Sequence, residues 1–249
     1  MKHFLYVLLI SIGCSELQAA DPSQPTPPPT YEYRPASFDG TGKWFVDREI
    51  AHFMSHQGAP WLEREERETE EAPNRLVSAL SLKPGYQVGD VGAGSGYLTW
   101  RMARVVGPTG KVYANDIQPE MIAFLRTNLL VRGITNVVPV LGTTTDPRLP
   151  DNTLDLILLV DVYHECDHPL EMTRRMTDAL KPGGRLVFVE YRGEERWIPI
   201  KPLHKMTATQ VRKEMALHPR LAFVENLTNL PRQHILIFQK KTSPPGSSH

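Results

Sequence analysis

Val88-Gly89-Asp90-Val91-Gly92-Ala93-Gly94-Ser95-Gly96 is the stretch on which the reading of this chain turns. Valines and an acid lead into three glycines at alternate positions. Residues 97–106 then carry apolar side chains at helical spacing, namely Leu98, Met102, Val105 and Val106. That order predicts a strand, a tight glycine turn and a helix. Glycine lacks a Cβ, so the turn can take positive φ and let a ligand approach the backbone. The free N–H groups at the start of the helix then face that ligand with the positive end of the helix dipole. The spacing is G-x-G-x-G, not the G-x-G-x-x-G of dinucleotide sites, which disfavours a hydride-transfer cofactor. Taken alone, the loop is equally well an ordinary strand-to-helix turn.

Working outward, strand and helix patterns alternate: Gln87–Val91 then 97–106; Lys111–Asp116 then 119–132; Val137–Leu141; 154–161 then 169–180; 185–191, a helix over 208–217, and a closing pair at 222–226 and 234–239. Pro119 and Pro169 suit first helical positions, and Gly133 and Gly183-Gly184 lie just past helix ends. Thr207 and Gln210 have capping-box spacing. The apolar run Leu154–Val160 is what a strand buried on both faces looks like. These features predict an α/β fold: a doubly wound, mainly parallel seven-stranded sheet with a C-terminal antiparallel hairpin.

In such a sheet ligands lie beyond the carboxyl ends of the strands. Those ends carry the glycine loop, Asn115-Asp116-Ile117, Gly142-Thr143-Thr144, Asp161-Val162-Tyr163-His164-Glu165 and Glu190-Tyr191-Arg192. Asp116 lies twenty residues after Gly96, where an acid binds ribose hydroxyls. Its bland reading is a helix-start acid ahead of Pro119.

Around this core, residues 1–20 run from Lys2 through the apolar Phe4 to Gly13 to Ala19-Ala20, the order of an export signal. Ser11-Ile12-Gly13-Cys14 loosely resembles a lipoprotein box, so membrane attachment is expected only through an N-terminal anchor or a lipid on Cys14. Without such a signal the location is cytoplasmic. Residues 21–42 read as a proline-rich linker, 43–241 as the folded domain with an N-terminal helical cap, and 242–249 as a frayed tail. Within the cap, 44–54 is a helix candidate with Phe45, Ile50, Phe53 and Met54 at its apolar positions. His52 and His56 lie four apart on it, and Trp44, Phe53 and Trp61 are placed either over a pocket mouth or on the core. The charge run 63–71 reads as a solvated face. Lysine and arginine total 28, as do aspartate and glutamate, so there is no broad basic field for nucleic acid. Two cysteines, Cys14 and Cys166, give no basis for a structural disulfide.

The glycine segment 88–96, Asp116, residues 161–164 and Leu180-Lys181-Pro182-Gly183-Gly184-Arg185-Leu186 together resemble the class I S-adenosylmethionine-dependent methyltransferases over about 76–241. The small-molecule enzymes of ubiquinone and menaquinone biosynthesis are most alike. The resemblance implies S-adenosyl-L-methionine as cofactor and a small-molecule acceptor. It puts Asp90 and the glycines Gly92, Gly94 and Gly96 at the methionine end, Asp116 at the ribose, and Thr143 or Thr144 near adenine, with Ala93, Ile117 and Asp161 also among the cofactor-binding residues. The segment 90–116 is also similar to the protein L-isoaspartyl methyltransferases.

Methyl transfer from a sulfonium needs alignment, and a hydroxyl, amine or acidic carbon must also lose a proton. His164 is the first candidate base, because free imidazole titrates near neutrality. Asp161 and Glu190 follow, then Glu165. Tyr163, Tyr191 and Arg192 are placed around the acceptor, and His204-Lys205 in a lid. A rival reading is zinc hydrolysis, since His164-Glu165-Cys166-Asp167-His168 fits H-E-x-x-H. That motif requires a helix, whereas here it follows a buried strand directly and runs into Pro169, so no metal is expected. A non-catalytic adenosylmethionine-binding module is the third reading.

Overall fold

In the computed structural model, which describes residues 31–242, the sheet begins with β4 (Gln87–Val91), after three short strands and three short helices that come first in the chain. Valine and leucine runs then form β5 (Lys111–Asp116), β6 (Val137–Leu141), β7 (Leu154–Val160) and β8 (Leu180–Tyr191), and β9 (Leu221–Leu227) and β10 (Gln233–Lys240) close it. The strand order is β6-β5-β4-β7-β8-β10-β9. Every neighbour from β6 to β8 is parallel, and only β10 runs against its two partners. The doubly wound sheet and its antiparallel C-terminal pair are therefore as the alternation predicts. Strand β8 starts five residues earlier than the pattern suggests, because Lys181-Pro182-Gly183-Gly184 continues from α6 (Pro169–Ala179) directly in extended form.

Both sheet faces are covered. Met172 and Met176 of α6 and Val211 and Met215 of α7 (Ala208–Met215) pack with Leu159 and Phe188. Leu76 and Val77 of α3 (Pro73–Ala79) and Met102 and Val106 of α4 (Thr99–Val106) pack with Leu158 and Val187. Leu125 and Leu129 of α5 (Pro119–Val131) cover Ala114. Leu156, Ile157, Leu158 and Leu159 are all fully buried, as a strand covered on both faces requires. Thr207 Oγ1 accepts the Gln210 N–H at 3.1 Å and caps α7.

The N-terminal cap departs from expectation. Residues 44–54 are not a helix: β1 (Glu32–Tyr33), β2 (Gly40–Phe45) and β3 (Arg48–Ala51) form a small antiparallel sheet. Val46 and Asp47 make the β2–β3 turn with φ of 47° and 67°, the geometry of a two-residue hairpin. The linker also ends sooner, since Glu32 and Tyr33 already pair with Trp44 and Lys43. Helices come only afterwards, as α1 (Ala59–Leu62), α2 (Arg67–Glu71) and α3. The signal segment, Cys14, residues 21–30 of the proline-rich stretch and nearly all of the tail lie outside the described residues. Among the described residues, no helix is long and apolar enough to cross a membrane.

Candidate active site

A cavity of about 520 Å³ opens at the carboxyl ends of β4, β5 and β7. Gly92 and Gly94 form part of its wall, with φ of 71° and 54°. A Cβ on Gly92 would lie 2.4 Å from Val162 Cγ2, so only glycine fits against the β7 loop. The loop's N–H groups do not point freely at a ligand. Ala93 N–H donates to Asn115 O, Gly96 N–H to Ala93 O, and Gly94 N–H to Asp116 Oδ2 at 3.0 Å. The helix begins only at Thr99. Asp116 Oδ1 accepts the Gln118 N–H at 2.9 Å, so the carboxylate both ties the glycine loop to β5 and faces the cavity, its pKa raised by burial. Each oxygen retains a lone pair for a ligand hydroxyl. Ile117, Thr143 and Thr144 line the cavity too, although Thr143 Oγ1 also accepts the Asp146 N–H within its own turn.

Asp90, Ala93 and Gly96 are not on the wall. Asp90 is buried beneath the loop, accepting the Thr99 hydroxyl at 2.5 Å, and burial lifts its pKa to about 6. Its part is to fasten β4 to α4.

Asp161 sits just past β7 with φ of 53°, a conformation uncommon outside glycine. Its Oδ2 accepts the Gln233 amide at 2.6 Å, while Oδ1 is buried without a partner in the cavity wall. Burial and the carboxylates of Glu71 and Glu190 raise its pKa well above the usual range. An acceptor left unpaired in this way suits a ligand that brings a donor.

His164 is not a free imidazole. It is 2 % exposed, with Nδ1 2.6 Å from Glu190 Oε2 and Nε2 3.1 Å from His204 Nδ1. Burial by itself lowers its pKa, but Glu190 and Glu165 override that and lift it to about 10. At neutral pH the ring already holds its proton, so the reading of His164 as a base near neutrality gives way to that of a held cation. Glu190 is not on the wall either: fully buried, it braces His164 and accepts the Tyr163 N–H at 3.0 Å. Glu165 does line the cavity; burial opposes its charge, yet hydrogen bonds from His164 and His204 bring its pKa down to about 2. The H-E-x-x-H pattern falls apart, because residues 163–165 form one 3-10 turn and His168 precedes α6, turned toward Asp167 and the Tyr31 ring.

Several residues in or behind the wall escaped the sequence. Arg48 of β3 reaches across to donate to His164 O at 3.0 Å, while its Nε meets Glu214 Oε1 at 2.6 Å. The charge run is not a solvated face: Arg67 and Glu71 are buried, 2.6 Å apart, with Tyr191 OH donating to Glu71 at 2.7 Å. Arg64, Arg67 and Glu71 all line the cavity. Phe53 and Trp61 also line it and remain half-exposed, as one reading of the cap has it, whereas Trp44 does not. His52 lines the wall, but His56 lies in a separate turn beside Glu120, so the two share no helix face. Asp39 and His204 come in from the small sheet and from the loop before α7. Of these two, only His204 carried a sequence signal, as part of a supposed lid.

Residues 82–239 match the family model described as a methyltransferase domain. The chain belongs to that family. It is 30% identical over 135 residues to the ubiquinone/menaquinone biosynthesis C-methyltransferase UbiE of Burkholderia multivorans, covering 54% of each chain. Against the protein of the same name from Ectopseudomonas mendocina it is 36% identical over 116 residues, 46% of this chain and 45% of that one. The chain thus spans about half the length of these curated relatives. Among solved structures, a SAM-dependent methyltransferase from Aquifex aeolicus superposes with a TM-score of 0.71 at 24% identity, over 76% of this chain and 100% of that one. The [4+2]-cyclase SpnF superposes with a TM-score of 0.58 at 18% identity, over 68% and 81%. At these identities the superpositions establish the shared fold.

Proposed function

We propose that this protein is an S-adenosylmethionine-dependent methyltransferase acting on a small, largely apolar acceptor. The observation that carries the reading is the meeting of the glycine loop, Asp116 and the unpaired oxygen of Asp161 in one cavity. These residues fit the cofactor's polar groups. Asp116 offers acceptors for ribose hydroxyls, Asp161 Oδ1 an acceptor for the methionine ammonium, and Gly92 and Gly94 room for close approach. Ile117, Thr143 and Thr144 are assigned to the adenine. When bound, the cofactor supplies an electrophilic methyl group whose sulfur leaves as a neutral thioether.

The chain's own task is then alignment and exclusion of water. Phe53, Trp61, Leu62, Met172 and Ile200 give the cavity an apolar wall suited to an aromatic or quinol-like acceptor, and the relatives named for ubiquinone and menaquinone biosynthesis support that class. We also propose that residues 1–20 direct export, supported by Lys2, the apolar run after it and Ala19-Ala20; cell fractionation of the tagged chain tests this, and retention of an unprocessed protein in the cytosol overturns it. The methyltransferase reading is tested by calorimetric titration of the full chain with S-adenosylmethionine and S-adenosylhomocysteine. Saturable one-to-one binding of both is expected, and heat no greater than dilution for either overturns the reading.

A further inference from the structure

His164, Glu165 and His204 bring three ligand atoms to one place on the cavity wall. His164 Nε2 lies 3.1 Å from His204 Nδ1 and 3.7 Å from Glu165 Oε1, and His204 Nδ1 lies 3.2 Å from the same oxygen. A circle through these three atoms has a radius of about 1.9 Å. An ion at the usual zinc–nitrogen and zinc–oxygen distances of about 2.0–2.2 Å would touch all three from slightly out of their plane.

The atoms behind the triangle are held as metal ligands require. His164 Nδ1 meets Glu190 Oε2 at 2.6 Å, which holds a proton on Nδ1 and turns Nε2 toward the cavity. His204 Nε2 lies 2.9 Å from Asp39 Oδ2, so a carboxylate stands behind the second ring as well. Glu165 Oε2 is taken by the Met54 N–H at 3.1 Å, so Oε1 is the oxygen left for the cluster. An ion entering the cluster displaces the proton of the His164 cation on the cavity side, keeps Nδ1–H on Glu190, and leaves Nε2 to bind beside His204 Nδ1 and Glu165 Oε1. Three ligand atoms held within 4 Å of one another form a seat for a single cation, a proton or a metal ion.

We propose that His164, Glu165 and His204 form a binding site for a divalent transition-metal ion, with its remaining coordination positions open to the cavity for water or an oxygen of the acceptor. Two histidines, one carboxylate and an open side are the donor set of catalytic, not structural, metal sites. The inference rests on the cavity being the acceptor pocket of the methyltransferase proposed above. It replaces the expectation of no metal, which weighed His164 with His168 and set that pair aside because the motif does not lie on a helix. A proton shared by the two rings is the competing occupant.

The test uses the full chain, stripped with chelator and dialysed, then titrated with zinc chloride at pH 7.5 and assayed by elemental analysis. One zinc per chain is expected, and Co²⁺ in its place should give visible d–d absorption. His204→Ala should abolish both signals, with a thermal melt to check folding. Asp39→Asn, which leaves all three ligands, should weaken zinc binding by roughly 10- to 100-fold. His168→Ala should bind zinc as the wild type does. Sub-stoichiometric zinc in the wild type, or full zinc retained in a folded His204→Ala, overturns the proposal and leaves the proton as occupant. Titrating the same wild-type sample with S-adenosylmethionine separates the two readings: cofactor binding without zinc defeats only the metal site, and zinc binding without cofactor defeats only the methyltransferase.

Discussion

Asp116 shows how much a single carboxylate can carry. It accepts two backbone N–H groups and still faces the cavity, so the structural and ligand-binding roles weighed from sequence are not exclusive. Asp116→Ala should therefore do two things at once. Loss of charge-assisted hydrogen bonds to a ligand costs about 1.5 to 3 kcal/mol, a roughly 10- to 100-fold rise in Kd for S-adenosylmethionine. The melting temperature should also fall, because Gly94 N–H loses its partner in a buried loop. Unchanged affinity in calorimetry removes Asp116 from the ribose. Asp161→Asn makes a cleaner probe. Its amide can still accept from Gln233, but the other position becomes a donor aimed where a ligand ammonium belongs. Cofactor affinity should fall by an order of magnitude or more with stability held or raised, since a charge leaves a buried site. If affinity is unaltered, the unpaired oxygen has some other use.

At the scale of elements, the hairpin of β2 and β3 is what the sequence conceals. Phe45, Ile50 and Phe53 fit a helix face as well as they fit alternating strands, and the turn that decides between them places Val46 and Asp47 at positive φ, which a valine does not advertise. The alternation from β4 onward was legible because its signals are local: apolar runs, prolines at helix starts and a glycine loop. The pairing of His164 with His204 spans forty residues, and that of Arg48 with Glu214 spans 166, so no periodicity announces either. Yet the hairpin matters to the site. Arg48 joins β3 to α7 through Glu214, whose side chain is fully buried, and holds the backbone of His164. Arg48→Met should leave that carboxylate uncompensated and destabilise the fold by about 3 to 5 kcal/mol. Adding Glu214→Gln should recover much of the loss in chemical denaturation. If the double variant is no more stable than the single one, the ion pair is not what fastens the hairpin to α7.

For the molecule as a whole, the sheet sets the site at one edge and leaves the stability of the fold to its two packed faces, where a few buried ionisable groups make that stability depend on pH. His218, between α7 and β9, is buried with Nε2 unpartnered. Burial first, and the nearby Arg220 second, push its pKa down to about 4. In the unfolded chain the imidazole titrates near 6.5, so on acidification the unfolded state takes up the proton before the native state does. This contribution is flat above about pH 6.5, and stability is lost steadily from there down to about pH 4, by about 3 kcal/mol in all. Asp90 acts in the opposite sense: burial raises its pKa to about 6, so protonation below that value favours the native state. A stability curve of the wild type alone mixes the two effects, and the difference between His218→Leu and wild type isolates the first. Measured by urea unfolding at steps from pH 8 to pH 4, that difference should shift progressively in favour of the leucine variant below pH 6.5. A difference independent of pH across that range means that His218 takes its proton in the native state as readily as in the unfolded chain, and that acid sensitivity of this fold originates elsewhere.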